Sequence, residues 1–223
     1  PEDLDRWHIF ESKLANIFHS FDTHEIRTPL LESTELFSRS VGNSSDIVNK
    51  ELYSFLDRNE ESISLRPEGS ASVIRAVIQK KQEQEKHKFW YQGPMFRYER
   101  PQKGRFRQFH QVGVEYLGFE EGIAEYELIS MVLQINKLIG ISDFTIKINH
   151  LGDANAKESF CESLVSFLKP HINELHEKDQ ARLKSNPLRV LDSKEKSTQT
   201  LLKLGPKFQD FISNESKSFL QNL

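Results

Sequence analysis

Glycine is scarce in this 223-residue chain, with only 10, and neither G-x-x-x-x-G-K-[ST] nor G-x-G-x-x-G occurs. A P-loop or Rossmann phosphate cradle, which relies on such glycines, is therefore unsupported. Cysteine is nearly absent. The single Cys161 allows no intramolecular disulfide, suits a reducing cytosol, and reads as a buried thiol rather than a nucleophile. No apolar run approaches the ~20 residues of a membrane span, and no signal-like segment opens the chain. The start at Pro1, with no Met, is as expected of a trimmed terminus. Eight histidines include no H-E-x-x-H, and His171 and His176, five apart on a predicted helix, miss the i, i+4 spacing of a shared zinc. No metal site is expected. Cationic excess is lacking too: with a net charge of −3, any nucleic-acid contact must come from a local patch.

What is present describes a soluble globular protein rich in aromatic packing, with 16 Phe and enough length for one large or two smaller domains. Residues 3–21 place Leu4, Trp7, Phe10, Leu14, Ile17, Phe18 and Phe21 at three- and four-residue steps, the stripe of an amphipathic helix. HEIRTPLLES follows as a strand interrupted by Pro29, which implies an edge or interface position. Thr34 to Val41 reads as a short helix capped by Ser33 or Thr34 and closed by Gly42. LYSFLD and SISLR, split by Arg58-Asn59-Glu60-Glu61, predict a β-hairpin. Arg66-Pro67-Glu68-Gly69-Ser70 then opens a helix, ASVIRAVIQKKQ. That loop is either a ligand rim with unpartnered backbone N–H groups or simply the start and cap of the helix.

The stretch Phe89–Gly118 reads as strand, turn at Gly93-Pro94, strand, tight basic loop, and a long strand from Arg105. Side chains alternate across a strand, so Arg105, Arg107, Phe109, Gln111, Gly113 and Glu115 are expected on one face. Arg97 and Glu99 have the same spacing and join that face if the hairpin register allows. A solvated face laced with weak salt bridges is the plain alternative. Against it stand Gly113, which weakens a strand unless something must approach closely, and Phe109, a ring among charges. Arg97, Arg100, Lys103, Arg105 and Arg107 form the densest basic patch. Residues 123–139 predict another amphipathic helix and DFTIKINH a strand; from Gly152 onward short helices and loops take over, including NAKESFCESLVSFL and HINELHEKDQARL. A boundary near 150 separates 1–150 from 151–223.

GPMFRYERPQKGRFRQFHQVGVEYLG resembles motif 2 of class II aminoacyl-tRNA synthetases, in the form found in histidyl-tRNA synthetases. LRPEGSASVIRA resembles the histidine-binding loop of the same family, with Ser70 where Thr is usual, and the first helix with its proline-ended strand resembles motif 1. The resemblance implies an α+β fold: a class II synthetase-like antiparallel sheet flanked by helices, followed by a small helical insertion region. Residues 1–150 would be an incomplete catalytic core with motifs 1 and 2, and 151–223 part of the insertion domain.

The implied activity is histidine–tRNA ligation: ATP, with Mg²⁺ bridging its phosphates, and histidine give histidyl-adenylate, and the histidyl group passes to tRNA(His). Arg97 would hold the α-phosphate as the catalytic residue, with Glu99 and Arg105 seating ATP and Phe109 stacking on adenine. Glu68, Gly69, Ser70 and Gln111 would bind the histidine ammonium, and Glu115 the imidazole. Arg100 and Lys103 would contact tRNA. A cytoplasmic homodimer joined through motif 1 is also implied. The match corresponds to about the first half of such an enzyme, without motif 3 or the anticodon-binding domain, so this stretch alone is expected to have little adenylation activity. The alternative is the synthetase-like, histidine-sensing regulatory subunit of ATP phosphoribosyltransferase, which shares the fold without the catalysis.

Overall fold

In the computed structural model, which describes residues 2–41, 48, 51–100, 102–120, 122–149, 152 and 154–222, the first apolar stripe forms α1 (Glu2–Ser20). Only its C-terminal half is sealed: Leu14 and Phe18 are buried, whereas Leu4, Trp7 and Ile9 are exposed. The segment around Pro29 yields two short strands rather than one. β1 (His24–Glu25) runs parallel to β5 (His87–Phe96), and β2 (Leu31–Ser33) pairs antiparallel with β4 (Ser62–Leu65). Proline has no N–H for a ladder, so the chain leaves one sheet before it and enters another after it. β3 (Ser54–Leu56) pairs with the other edge of β4, completing the predicted hairpin. Asp57 Oδ1 accepts from the amides of Asn59 and Glu61 in its turn. Between the sheets' strands, α2 (Thr34–Val41) begins with the Glu35 amide donating to Ser33 Oγ; Gly42, expected to close it, lies outside the described residues. α3 (Ser70–Gln79) follows β4.

The antiparallel pair of β5 with β6 (Gln108–Leu117) carries the site, in register from His87–Leu117 to Phe96–Gln108. Gly93-Pro94 does not turn the chain as expected, and β5 is continuous through it. Phe96 N, two residues on and therefore on the same edge as Pro94 N, donates to Arg66 O instead of to β6. Proline thus lacks its N–H on the edge that the hairpin does not use. The even-numbered face of β6 packs toward α1 and α4 (Ile123–Leu138), where Leu14, Phe18, Trp90 and Met131 form a core flanked by Val114 and Tyr116. On the odd face Val73 of α3 meets Tyr91 and Met95. The two faces therefore divide labour, one for core and one for the site.

The chain divides by packing into two units, Pro1–Asp143 and Phe144–Leu223. DFTIKINH is not a strand in its described part, residues 143–149, and His150 is outside it. A strand needs neighbours for its N–H and C=O groups, and no described residue pairs with this one; Phe144, Ile146 and Ile148 remain exposed. The second unit contains α5 (Ala154–Leu168), α6 (Glu177–Ser185), α7 (Lys196–Leu204) and α8 (Asn214–Asn222). Its core is Phe160, Leu164, Leu168, Leu175, Leu183, Val190 and Leu201. HINELHEKDQARL is not one helix: a 3-10 stretch, Lys169–Glu174, contains His171, and His176 caps α6 by accepting from the Lys178 amide. Asp179, 1% exposed, ties this unit together, accepting from Ser193 Oγ, from Thr198 Oγ1 at 2.9 Å and from the Arg182 guanidinium at 3.0 Å.

Candidate active site

The loop preceding α3 adopts the capping arrangement. The Glu68 carboxylate accepts from the Ser70 amide at 2.6 Å and the Ala71 amide at 3.0 Å, donors that a helix start otherwise leaves unpaired. Glu68 is thereby fixed in direction, and its remaining lone pairs stay able to accept from a ligand. Ser70 Oγ donates to Glu115 on β6, 45 residues away. Loop and strand are therefore stitched together at the residues expected to bind the amino acid.

Along β6, Phe109, Gln111, Gly113 and Glu115 lie opposite Met95, Gly93, Tyr91 and Phe89 and share a face with them. Burial and repulsion from Glu68 raise the Glu115 pKa; the hydrogen bond from Ser70 opposes the rise. Two carboxylates facing a partly buried space favour a cation between them. Gln111 Oε1 is buried and has no hydrogen-bond partner among the described residues, a state that costs about 1–3 kcal/mol until a donor arrives. Gly113 is explained differently from expectation. A Cβ there would lie 2.3 Å from the Tyr91 ring, so the close approach is made by a side chain of this protein.

Further along the face, the Arg97 guanidinium sits 5.1 Å from the centre of the Phe109 ring, and its Nε donates to Pro67 O at 2.9 Å. Phe109 thus has a reason to stand among charges, a cation stacked on it. Arg97 has no ion-pair partner among the described residues. Arg105 and Arg107, expected on the strand, precede it, because β6 starts at Gln108; Lys103 and Gly104 make a tight turn bridged by Gln102 and Arg105. Arg105 pairs with Glu99 at 3.0 Å, and Arg107 stacks on Tyr98 at 4.2 Å while its carbonyl accepts from the Arg97 amide at 2.9 Å. Arg100 and Lys103 are exposed beside the turn. Among the described residues no group of three His, Cys, Asp or Glu could hold a metal ion.

Sequence reasoning missed Tyr91 and Arg66. Tyr91 is buried, its ring against Gly69 and Gly113. Arg66, 4% exposed, donates to the carbonyls of Pro94 and Thr28 and to Thr28 Oγ1, with one nitrogen over Gly93. The available signal was the glycine opposite Tyr91, legible only once the hairpin register is known.

The mixed sheet, its flanking helices and this hairpin face define a class II aminoacyl-tRNA synthetase core. The structure resembles that of apo histidyl-tRNA synthetase from S. aureus with a TM-score of 0.77 and 34% identity, covering 100% of this chain and 50% of that one. A second solved structure, titled an ATP phosphoribosyltransferase regulatory subunit/histidyl-tRNA synthetase from Bacillus halodurans, matches at TM-score 0.62 and 21% identity over 92% of this chain and 60% of its own, a likeness of fold alone. The histidine–tRNA ligase of Latilactobacillus sakei subsp. sakei is 45% identical over 97% of this chain and 51% of its own length, and that of Listeria monocytogenes is 42% identical over 100% and 53%. A family model described as histidyl-tRNA synthetase matches residues 1–207. The chain belongs to the histidyl-tRNA synthetase family. It spans about half the length of the curated relatives it matches.

Proposed function

We propose that this chain supplies the motif 1 and motif 2 part of a histidine–tRNA ligase, binding histidine and ATP along one face of β6. The observation that carries the reading is the gathering of Glu68, Ser70, Gln111 and Glu115 at one end of that face, with Arg97 over Phe109 at the other. At the first end, Glu68 and the orphaned Gln111 Oε1 accept from the histidine ammonium, with Gly69 and Ser70 forming the rim. Glu115 accepts from the imidazole N–H. A competitor without that N–H leaves a buried carboxylate unpaired, which in a well-built polar site costs on the order of 10⁴-fold in selectivity.

At the other end Arg97 holds the α-phosphate, a contact of about 4 kcal/mol at an effective dielectric near 20. Adenine stacks at Phe109, and Arg105 with Glu99 seats the phosphates. Mg²⁺ bound to the ATP phosphates would neutralise part of their charge. The histidine carboxylate then attacks the α-phosphorus, forming a P–O bond as pyrophosphate leaves; the residues contribute position and charge rather than proton transfer. Arg100 and Lys103 meet tRNA(His). In this reading Pro1–Asp143 belongs to the catalytic core and Phe144–Leu223 to the helical insertion. The exposed Leu4, Trp7 and Ile9 of α1 support a homodimer contact through motif 1. No described helix is long and apolar enough to cross a membrane, and the proposed place of action is the cytoplasm.

The higher identity and TM-score of the synthetase matches favour this reading over the regulatory subunit. Calorimetry of the chain with L-histidine, alone and with ATP, tests it. Saturable binding of both supports the reading. Steeply salt-dependent RNA binding without histidine affinity overturns it in favour of a simple RNA-binding module.

A further inference from the structure

Arg66 directly follows β4 and is 4% exposed, and two of its three guanidinium nitrogens are fixed by the protein. Nε donates to Pro94 O, and Nη1 donates to Thr28 O and Thr28 Oγ1, each at 3.1 Å. Nη2 donates to no described residue, yet unlike Gln111 Oε1 it is not sealed from solvent. A missing side chain makes its place. Gly93, at φ 148°, has no Cβ, and one built there would lie 2.7 Å from Nη2. Gly93 stands directly opposite Gln111 and shares its face. Side chains at such opposite positions start about 4.5–5.5 Å apart. Nη2 therefore takes the place beside Gln111 that a β5 side chain would fill. Along the face, the next pair in one direction is Tyr91–Gly113 and in the other Met95–Phe109.

The charge of Arg66 is short of a counter-ion. Burial pulls its pKa below the ordinary arginine value, and the carboxylate whose field opposes this, Glu32, is itself bridged to Arg75 at 2.8 Å. No described carboxylate lies within ion-pair distance of Arg66. A buried cation left in that state is costly, and an anion accepting from its free nitrogen offsets the cost.

We propose that Arg66 is a further binding residue of the amino-acid site, its free Nη2 donating to the carboxylate of the bound amino acid. The assignment rests on the histidine reading above. One carbon bears both the ammonium and the carboxylate of an amino acid, so an ammonium held at Gln111 brings the carboxylate beside it. From there one direction along the face leads to Glu115, which repels a carboxylate, and the other to Arg97 and the α-phosphate. Nη2 lies between them. A single N–H donor holds one carboxylate oxygen and leaves the second free to attack.

Calorimetry of the whole 223-residue chain with L-histidine and with L-histidinol tests this. Histidinol keeps the ammonium and imidazole and has a hydroxymethyl group in place of the carboxylate. In the parent, histidine should bind about tenfold or more tightly than histidinol, as for a hydrogen bond between charged groups. In Arg66→Gln, with the melting transition retained, that preference should shrink to about twofold or less while histidinol affinity stays. Arg66→Lys, which keeps the charge, should restore part of the preference. An arginine that only supports the fold would lower both affinities together and leave their ratio unchanged, and that result overturns the proposal. Equal affinity for the two ligands in the parent also overturns it, needs no variant, and leaves the histidine pocket standing. Binding of neither ligand by the parent removes the histidine reading itself, and this assignment with it. Arg97→Ala decides between the two cations even if the Arg66 variants fail to fold. A preference that survives there supports Arg66, and one that vanishes gives the carboxylate to Arg97. A fall in ATP affinity alone in Arg66→Gln puts the α-phosphate at Nη2 and equally overturns the proposal.

Discussion

Glu115→Ala is the most discriminating single change. It removes the acceptor of the Ser70 hydroxyl and leaves Glu68 as the carboxylate at that end of the face. A charge-assisted hydrogen bond contributes about 1.5–3 kcal/mol, so histidine affinity should fall roughly 10- to 150-fold. Phe109 lies six residues along the same strand, roughly 20 Å at about 3.4 Å per residue. That separation is about twice the Debye length of roughly 8–10 Å at physiological ionic strength. ATP affinity should accordingly change by no more than about twofold on this electrostatic argument. Calorimetry with each ligand separately gives both numbers from one protein. Equal loss of histidine and ATP affinity would refute the division of the face into an amino-acid end and a nucleotide end.

Glu115 also has a measurable effect on stability with pH. Its pKa is raised in the folded state, so folding favours the protonated form. The sign follows: stability is greater at acid pH and is lost as pH rises through the folded pKa. A Glu115→Gln variant should therefore be more stable than the parent near neutral pH while binding histidine less well. Chemical denaturation at several pH values would show the two curves converging toward acid. Persistent parallel curves would mean that the carboxylate is not destabilised by its site.

Arg97→Ala should weaken ATP binding about 10- to 100-fold while sparing histidine, because it removes the cation stacked on Phe109; calorimetry at two salt concentrations would check this. Gly113→Ala places a methyl 2.3 Å from the Tyr91 ring, and overpacking of that kind costs about 1–3 kcal/mol, to be read from denaturant midpoints together with lost histidine affinity. Asp179→Ala should destabilise the helical unit by about 3 kcal/mol, since it strands the Ser193 and Thr198 hydroxyls and the Arg182 charge. In the parent, burial pushes the Asp179 pKa up but hydrogen bonds from Ser193, Thr198 and Arg182 pull it net down. Its contribution is thus present above the unfolded value near 4 and is lost as pH falls through the lower folded pKa, which acid unfolding of parent and variant would reveal.

Periodicity by itself determined α1, α2, α3, α4 and α5, because each buries a stripe whose spacing is written in consecutive residues. Turn residues likewise determined the β3–β4 hairpin, and strand alternation grouped Phe109, Gln111, Gly113 and Glu115. Those are local rules, and they held where the backbone was regular. They failed where a partner decides: β5 runs straight through Gly93-Pro94 because its other edge turns to Arg66, and residues 143–149 have no neighbour among the described residues to make them a strand. Arg105 and Arg107 fall outside the expected strand because β6 starts only at Gln108, after the hairpin turn. Tertiary structure alone brought Ser70 to Glu115 across 45 residues, set Tyr91 between two glycines, and buried Arg66 beneath the site. The physical reason is the same throughout. Contacts between residues distant in the chain depend on register and packing, which no window of neighbouring residues contains.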